Sequence, residues 1–156
     1  MTELYQLLYQ SPVGPLTLSG TPEAVTALDF DDTRRNGNNA SPLLEQAVRE
    51  LEEYFAGTRR AFTVPLSPAG TAFQKQVWAA LEEIPYGETA SYGDIAARIG
   101  NPKACRAVGG ANHRNPIPIL IPCHRVIGSA GQLTGYGGGL EIKTALLALE
   151  AAHTAK

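Results

Sequence analysis

Three residues that could perform chemistry together stand side by side in the segment IPCHRV, where Cys123, His124 and Arg125 follow a proline. The nucleophilic form of cysteine is the thiolate, so a reactive cysteine needs a base for its proton or a cation that lowers its pKa. Histidine and arginine could supply these two functions. Adjacency alone does not decide the matter, because neighbouring side chains in an extended chain point in opposite directions. Most free cysteines are small buried hydrophobic residues.

The segment before Cys123 is apolar and rich in proline. Apolar residues and prolines follow one another along it, namely Ile117, Ile119, Leu120 and Ile121 with Pro116, Pro118 and Pro122. Proline donates no ladder hydrogen bond, so the pattern argues against a continuous central strand. It predicts a buried, extended and stiffened segment that holds Cys123 at a fixed place.

The elements around this segment are predicted to be helical. Apolar residues recur at helical spacing in TAFQKQVWAALEEI and in LEIKTALLALEAA. Two shorter helices are predicted between them: SYGDIAARIG, which Ser91 can cap, and KACRAVGGANH, where Cys105 is expected to fill the helical core. Two short helices joined by a turn form the helix-turn-helix pattern, which plain helical hairpins also show.

The first 65 residues predict a separate supporting domain. The runs LYQLLYQ, PLTLSG and AVTALDF are separated by turn sequences and predict a three-stranded antiparallel sheet. Ser41 and Pro42 begin a helix whose apolar face should cover that sheet. The predicted fold class is therefore α+β, with an N-terminal domain over residues 1–65 and a helical, winged-helix-like domain over residues 70–156.

Composition restricts the function classes. The chain has 156 residues and a net charge of −2, which is not typical of a nucleic-acid-binding protein. The charge is uneven, however: residues 1–70 carry a net −4 and residues 71–128 a net +2, so any polyanion contact is expected in the middle segment. No apolar run is long enough for a membrane span and the N-terminus lacks a secretory signal. We expect an intracellular, cytoplasmic protein that does not bind membranes.

The cysteine count bears on metals. Two cysteines cannot build a disulfide framework, and neither lies in a C-x-x-C pair of the kind that holds structural zinc. We expect no metal and no cofactor.

The stretch NPKACRAVGGANHRNPIPILIPCHRVIGSAGQLTGYGGG closely resembles the O⁶-alkylguanine-DNA alkyltransferase family, whose hallmark is the segment PCHRV, here Pro122 to Val126. The resemblance covers residues 70–150 and is weaker before residue 65. It implies that Cys123 irreversibly accepts the alkyl group of O⁶-alkylguanine, so that each molecule acts once. It also implies that His124 takes the thiol proton through a water and that Glu150 orients His124. Sequence position alone favours a solvated helix residue for Glu150.

The resemblance further implies duplex DNA carrying O⁶-alkylguanine as the partner. The target base must leave the stack before it can react. Arg106 would fill the gap and Tyr92 would push the target phosphate, while the helix lies in the minor groove. The implied DNA contacts are Arg106, Tyr92, Arg125, Ala107 and Gly109. The implied guanine pocket consists of Tyr92, Asn115, Val126, Tyr136 and Gly137, with Asn115 also acting as a hinge.

Three other functions stay open as alternatives. A lesion-binding module without transfer would share the fold but replace the cysteine, and Cys123 argues against it. A Cys-His hydrolase of the papain type would need a distant His-Asn pair that the sequence does not show. A transcription regulator would need an effector domain or a dimer helix; neither is evident, and we expect a monomer.

Overall fold

The computed structural model describes residues 4–35, 39–131, 136 and 138–154. The chain divides into two compact units, residues 1–69 and residues 70–156. Within the described ranges, no helix is long and apolar enough to cross a membrane.

The first unit is a sheet covered by a helix, as predicted. Its antiparallel sheet has the order β1-β2-β3, with the strands β1 (Tyr5–Ser11), β2 (Gly14–Gly20) and β3 (Val25–Asp29). The cross-strand pair Leu7 and Leu18 shows the register of the first hairpin. The turn between β1 and β2 requires the left-handed conformation of Gly14, whose φ is 105°.

Helix α1 (Pro42–Phe55) follows, and the Ser41 side chain caps it by accepting a hydrogen bond from the Leu44 N–H group. Proline at the first helical position lacks only an N–H group that would have no partner in the helix. Most of the apolar side of α1 is fully buried, and the helix contacts all three strands of the sheet.

The second unit is mainly helical and contains the elements α2 (Ala72–Glu82), β4 (Ala90–Ser91), α3 (Tyr92–Arg98), α4 (Cys105–His113), β5 (Val126–Ile127) and α5 (Leu140–Thr154). Capping boxes begin two of the helices: Thr71 with Gln74 at α2, and Ser91 with Asp94 at α3. A three-stranded sheet followed by helices confirms the predicted α+β class.

Helices α3 and α4 form the helix-turn-helix pair and both contact α2. The Trp78 indole N–H group donates a 2.8 Å hydrogen bond to the Ala111 carbonyl, which fixes α4 against α2. The buried side of α4 is formed by Val108, Ala111 and Asn112. Its other side, which includes Arg106, faces solvent.

A short parallel ladder links the helix pair to the segment after Cys123. Strand β4 pairs with β5 so that Ala90 lies opposite Val126 and Ser91 opposite Ile127. Because Ser91 is also the cap of α3, the start of that helix is tied to the residues that follow the cysteine.

Candidate active site

The segment that leads to Cys123 is buried, as predicted, but it is folded into turns and is not extended. Ile119 has a φ of 72°, the left-handed region that a β-branched side chain rarely adopts. The Ile121 N–H group donates to the Ile117 carbonyl at 2.9 Å, which closes a turn around Ile119. The Cys123 N–H group then donates to the Ile121 carbonyl at 2.7 Å across Pro122, in the geometry of an inverse γ-turn. The prolines exclude a central strand, but they do not determine the conformation of Ile119, which lies between Pro118 and Pro122.

The Asn115 side chain holds these turns in place. Its amide N–H group donates to the Ile121 carbonyl at 2.9 Å, and its amide oxygen accepts from the Ile117 N–H group at 2.9 Å. Asn115 lies two residues after the end of α4, so its side chain ties that end of the helix to the segment that carries Cys123.

The thiol of Cys123 is covered by the protein and only 4 % exposed. Burial raises its pKa to about 11, although the Asn115 side chain, the positive charge of Lys143 and the Tyr136 hydroxyl each oppose this rise. At neutral pH the sulfur is therefore protonated. A reaction at this sulfur needs a base that removes the proton as the reaction occurs.

His124 has the properties of such a base. Its ring is fully buried, and Nε2 lies 2.6 Å from Oε2 of Glu150. Burial lowers the pKa of His124, against the opposing effect of Glu150, so the imidazole is neutral at neutral pH. The carboxylate can only accept, so Nε2 carries the proton and Nδ1 carries the lone pair. Nδ1 hydrogen-bonds to none of the described residues, Cys123 included.

Besides the contact with His124, Glu150 accepts three hydrogen bonds from two residues, Gly87 and Arg125. The Gly87 N–H group donates to Oε1 at 3.1 Å. Arg125 donates from Nε to Oε1 at 2.8 Å and from Nη2 to Oε2 at 3.0 Å. Glu150 is thus a fully engaged buried carboxylate and not the solvated helix residue that was the alternative.

Arg125 is placed differently from the expected DNA contact. Its side chain is buried, and besides Glu150 it reaches the Ile84 carbonyl from Nη1 at 2.7 Å and lies over the Tyr86 ring. Residues 123–125 form a 3₁₀ turn, in which successive side chains diverge by about 120°. Arg125 therefore turns into the interior, and we assign it no DNA contact.

Lys143 belongs to the site, although the sequence reasoning missed it. It is fully buried on α5, and its Nζ donates a 2.7 Å hydrogen bond to the Val126 carbonyl. Burial lowers the pKa of Lys143, against the opposing effect of Cys123. A signal was present, because Lys143, Leu146 and Glu150 share the spacing of one helix face.

The remaining residues expected in the guanine pocket differ in burial. Val126 and Tyr136 are buried, whereas Tyr92 is partly exposed at the start of α3. The Tyr92 ring lies beside Gly109 of α4, where an added methyl group would be 3.8 Å from the ring. Gly137 lies outside the described residues.

The exposed side of α4 carries the DNA-contact candidates. Arg106 and Ala107 are exposed on its first turn, and Gly109 is half-buried. No side chain caps the N-terminus of this helix. Cys105 is exposed, so its predicted role as core filler is wrong. As the first residue of α4, it lies beyond the buried face of the helix.

Two family models match the chain. Residues 4–68 match the ribonuclease-like domain of 6-O-methylguanine DNA methyltransferase, and residues 72–152 match its DNA-binding domain. A methylated-DNA–protein-cysteine methyltransferase of Methanosarcina acetivorans is 52 % identical, with 94 % of this chain and 98 % of the relative covered.

Solved structures agree with these matches. The O⁶-methylguanine methyltransferase of Mycobacterium tuberculosis superposes with a TM-score of 0.88 at 47 % identity, covering 97 % of this chain and 94 % of its own. Mycobacterium tuberculosis OGT in complex with DNA gives a TM-score of 0.87 at 51 % identity, covering 94 % and 92 % of the two chains. The present chain belongs to the methylated-DNA–protein-cysteine methyltransferase family and is a methyltransferase.

Proposed function

We propose that this protein repairs duplex DNA by moving the alkyl group of O⁶-alkylguanine onto the sulfur of Cys123, once per molecule. One observation carries the proposal: a protonated, buried thiol stands next in sequence to a neutral imidazole whose Nδ1 lone pair has no partner among the described residues. Glu150 fixes that tautomer from the other side of the ring. This is a nucleophile with a base and a group that orients the base.

The chemistry follows from these atoms. Nδ1 of His124 and Sγ of Cys123 are not directly hydrogen-bonded, so the thiol proton passes to the ring through a bridging water. The thiolate attacks the alkyl carbon in line, a carbon–sulfur bond forms, and the carbon–oxygen bond breaks. The electron pair goes to O⁶, and the purine takes up a proton to become guanine. The product at Cys123 is a thioether, and none of the described residues is a second nucleophile placed to remove the alkyl group. Each molecule therefore reacts once.

Access to the base requires the target nucleotide to leave the duplex, at a cost of a few kcal/mol. Arg106 is exposed on the first turn of α4 and can enter the stack in place of the base. Tyr92 lies beside Gly109 of the same helix and can contact the displaced strand. Ala107 and Gly109 are small enough to let α4 approach a narrow groove. The extruded guanine would lie among Tyr92, Asn115, Val126 and Tyr136, and the expected contact with Gly137 falls outside the described residues.

Two broader assignments complete the proposal. Residues 1–65 form a supporting domain, and residues 70–156 form the domain that binds DNA and accepts the alkyl group. The net charge of +2 in residues 71–128 favours DNA binding by the second domain. DNA is the partner because the related Mycobacterium tuberculosis protein is seen in complex with it. We further propose that the protein acts as a cytoplasmic monomer.

The test is a transfer assay with duplex DNA that carries a labelled O⁶-methylguanine. We expect one label per molecule on Cys123, located by peptide mass spectrometry. Cys123→Ala should transfer nothing and still bind DNA, whereas Cys105→Ala, a matched change of the exposed cysteine, should transfer normally. Lesion binding without transfer would instead support a binding module, and several turnovers per molecule would support a hydrolase.

A further inference from the structure

Arg125 and the His124 ring bind the same carboxylate, that of Glu150. We propose that Arg125 is a positioning residue, which keeps His124 in its proton-accepting form by holding and neutralising the Glu150 carboxylate. The inference rests on the proposed function, because it assumes that His124 removes the thiol proton of Cys123.

The geometry of Arg125 is that of a clamp. Nε and Nη2 contact the two different oxygens of Glu150, at 2.8 and 3.0 Å. The third arm, Nη1, donates to the Ile84 carbonyl at 2.7 Å, and the guanidinium carbon lies 5.7 Å from the centre of the Tyr86 ring. A planar group held at each arm has one orientation, so it dictates where the carboxylate lies.

The clamp bears directly on the His124 ring. Oε2 of Glu150 accepts both from Nη2 of Arg125 and from Nε2 of His124, at 3.0 and 2.6 Å. The Gly87 N–H group fixes the other oxygen at 3.1 Å. A shift of the carboxylate would therefore move the ring, and with it the Nδ1 atom that must receive the proton.

The charges have a second effect. The charged groups facing His124 are Glu150 and Lys143 from α5 and Arg125 from its own turn. Burial lowers the pKa of His124, the Glu150 carboxylate raises it, and the two cations lower it. Without Arg125, the full carboxylate charge would act on the imidazole and favour its protonation. A protonated His124 has no lone pair, so the site would lose its base at mildly acidic pH.

The experiment measures the rate of alkyl transfer from O⁶-benzylguanine as a free base, which needs no DNA binding, from about pH 5 to about pH 9. In Arg125→Met the acidic limb of the pH profile should move up by about one pH unit. The rate should therefore fall more at the acidic end than at the alkaline end, where only the displaced position of the His124 ring slows transfer. Arg125→Lys keeps the positive charge but loses the paired contacts with the two oxygens of Glu150, so the acidic limb of its pH profile should move less. Arg98→Met removes an exposed arginine from its 2.8 Å pair with Glu83 and is the matched control, with an unchanged profile expected.

Removing one member of a buried ion pair destabilises a fold, so a second measurement is made first on the wild type. In nitrogen NMR, His124 should stay neutral, with its proton on Nε2, to well below the ordinary histidine pKa of about 6.5. A His124 that titrates at or above that value would overturn the proposal. In folded Arg125→Lys the same resonance should titrate at higher pH than in the wild type.

Each other outcome has one meaning. Equal slowing of Arg125→Met and Arg125→Lys at every pH would show a merely structural role and overturn the proposal. Weaker duplex binding with unchanged free-base rates would show a DNA contact and overturn it as well. A wild type that transfers nothing to Cys123 would remove the proposed function, whereas the NMR titration would still report what Arg125 does to His124.

Discussion

Nε2 of His124 lies 2.6 Å from Oε2 of Glu150, and both side chains are shielded from solvent. This contact fixes the ring proton on the side away from Nδ1. The Nδ1 atom of His124 can therefore accept a proton but cannot donate one. The effect of this arrangement on alkyl transfer can be measured.

Replacing His124 should slow transfer in a way that depends on pH. Loss of a general base reduces rates by about 10²–10⁴, and we expect this for His124→Gln at neutral pH. The deficit should shrink as the pH approaches 11, because the Cys123 thiol, with a pKa of about 11, then ionises unaided. Transfer rates from the free base give the measurement. His153→Gln, an exposed histidine of α5, is the control, and a deficit independent of pH would contradict a base role.

The raised pKa of Cys123 also predicts a change of stability with pH. The folded protein favours the protonated thiol, so this contribution is fully present below the ordinary pKa of 9.0 and is lost as the pH rises through about 11. The free energy of unfolding of the wild type, relative to Cys123→Ser, should fall by about 2–3 kcal/mol across this window. Denaturant titrations at several pH values measure it. Cys105→Ser should follow the wild type, and a flat difference for Cys123→Ser would show an accessible thiol.

Asn115→Ala should destabilise the second unit. The change removes two hydrogen bonds, to the Ile117 N–H group and the Ile121 carbonyl, and leaves both buried groups without that partner. The expected loss is about 2–4 kcal/mol in the free energy of unfolding. Asn101→Ala, at an exposed position just before α4, should change it by less than about 0.5 kcal/mol. If the two variants were equally stable, the Asn115 side chain would not hold the turns.

Arg106→Ala should weaken capture of the lesion without changing the reactivity of the sulfur. Affinity for duplex DNA with O⁶-methylguanine should fall by at least about tenfold, equivalent to about 1.4 kcal/mol. The rate with a free-base substrate should stay the same, because that substrate needs no extrusion. Arg114→Ala, at the exposed far end of α4, tests charge alone and should have the smaller effect. If both variants lost the same affinity for this duplex, Arg106 would be an ordinary phosphate contact.

Gly110→Ala separates fold stability from DNA binding. Gly110 lies four residues after Arg106 on the exposed side of α4, and a methyl group there would have no neighbour within 4 Å. In a helix the change should stabilise the protein by up to about 1 kcal/mol. In a narrow groove the same methyl group would keep the helix away from DNA. Thermal melting and duplex affinity should therefore move in opposite directions, and unchanged affinity would place another face of α4 on the DNA.

The sequence predicted the sheet, the helices and the order of both because capping residues and apolar spacing are local signals. Ser41 and Ser91 begin helices where expected. The conformation next to the cysteine was not predictable in this way. The left-handed Ile119 depends on the Asn115 amide, which lies several residues away, and no local pattern reports it.

The side-chain directions in the site were also beyond local reasoning. Arg125 was expected on DNA because the family resemblance implied that contact, and the direction of its side chain depends on the 3₁₀ turn and on the carboxylate of α5. Lys143 was missed although it shares a face with Glu150, because a lysine on a terminal helix usually points to solvent. Both errors concern buried charge, which needs a partner that only the folded chain supplies.

Burial of Cys123 has a consequence outside the transfer reaction itself. A covered, protonated sulfur reacts slowly with peroxide and with stray electrophiles, since oxidation to sulfenic acid also requires an accessible thiolate. The proposed transfer uses each molecule once, so oxidation of Cys123 beyond sulfenic acid would be as final as that transfer. The tight enclosure that makes the sulfur depend on His124 therefore also preserves it until damaged DNA arrives.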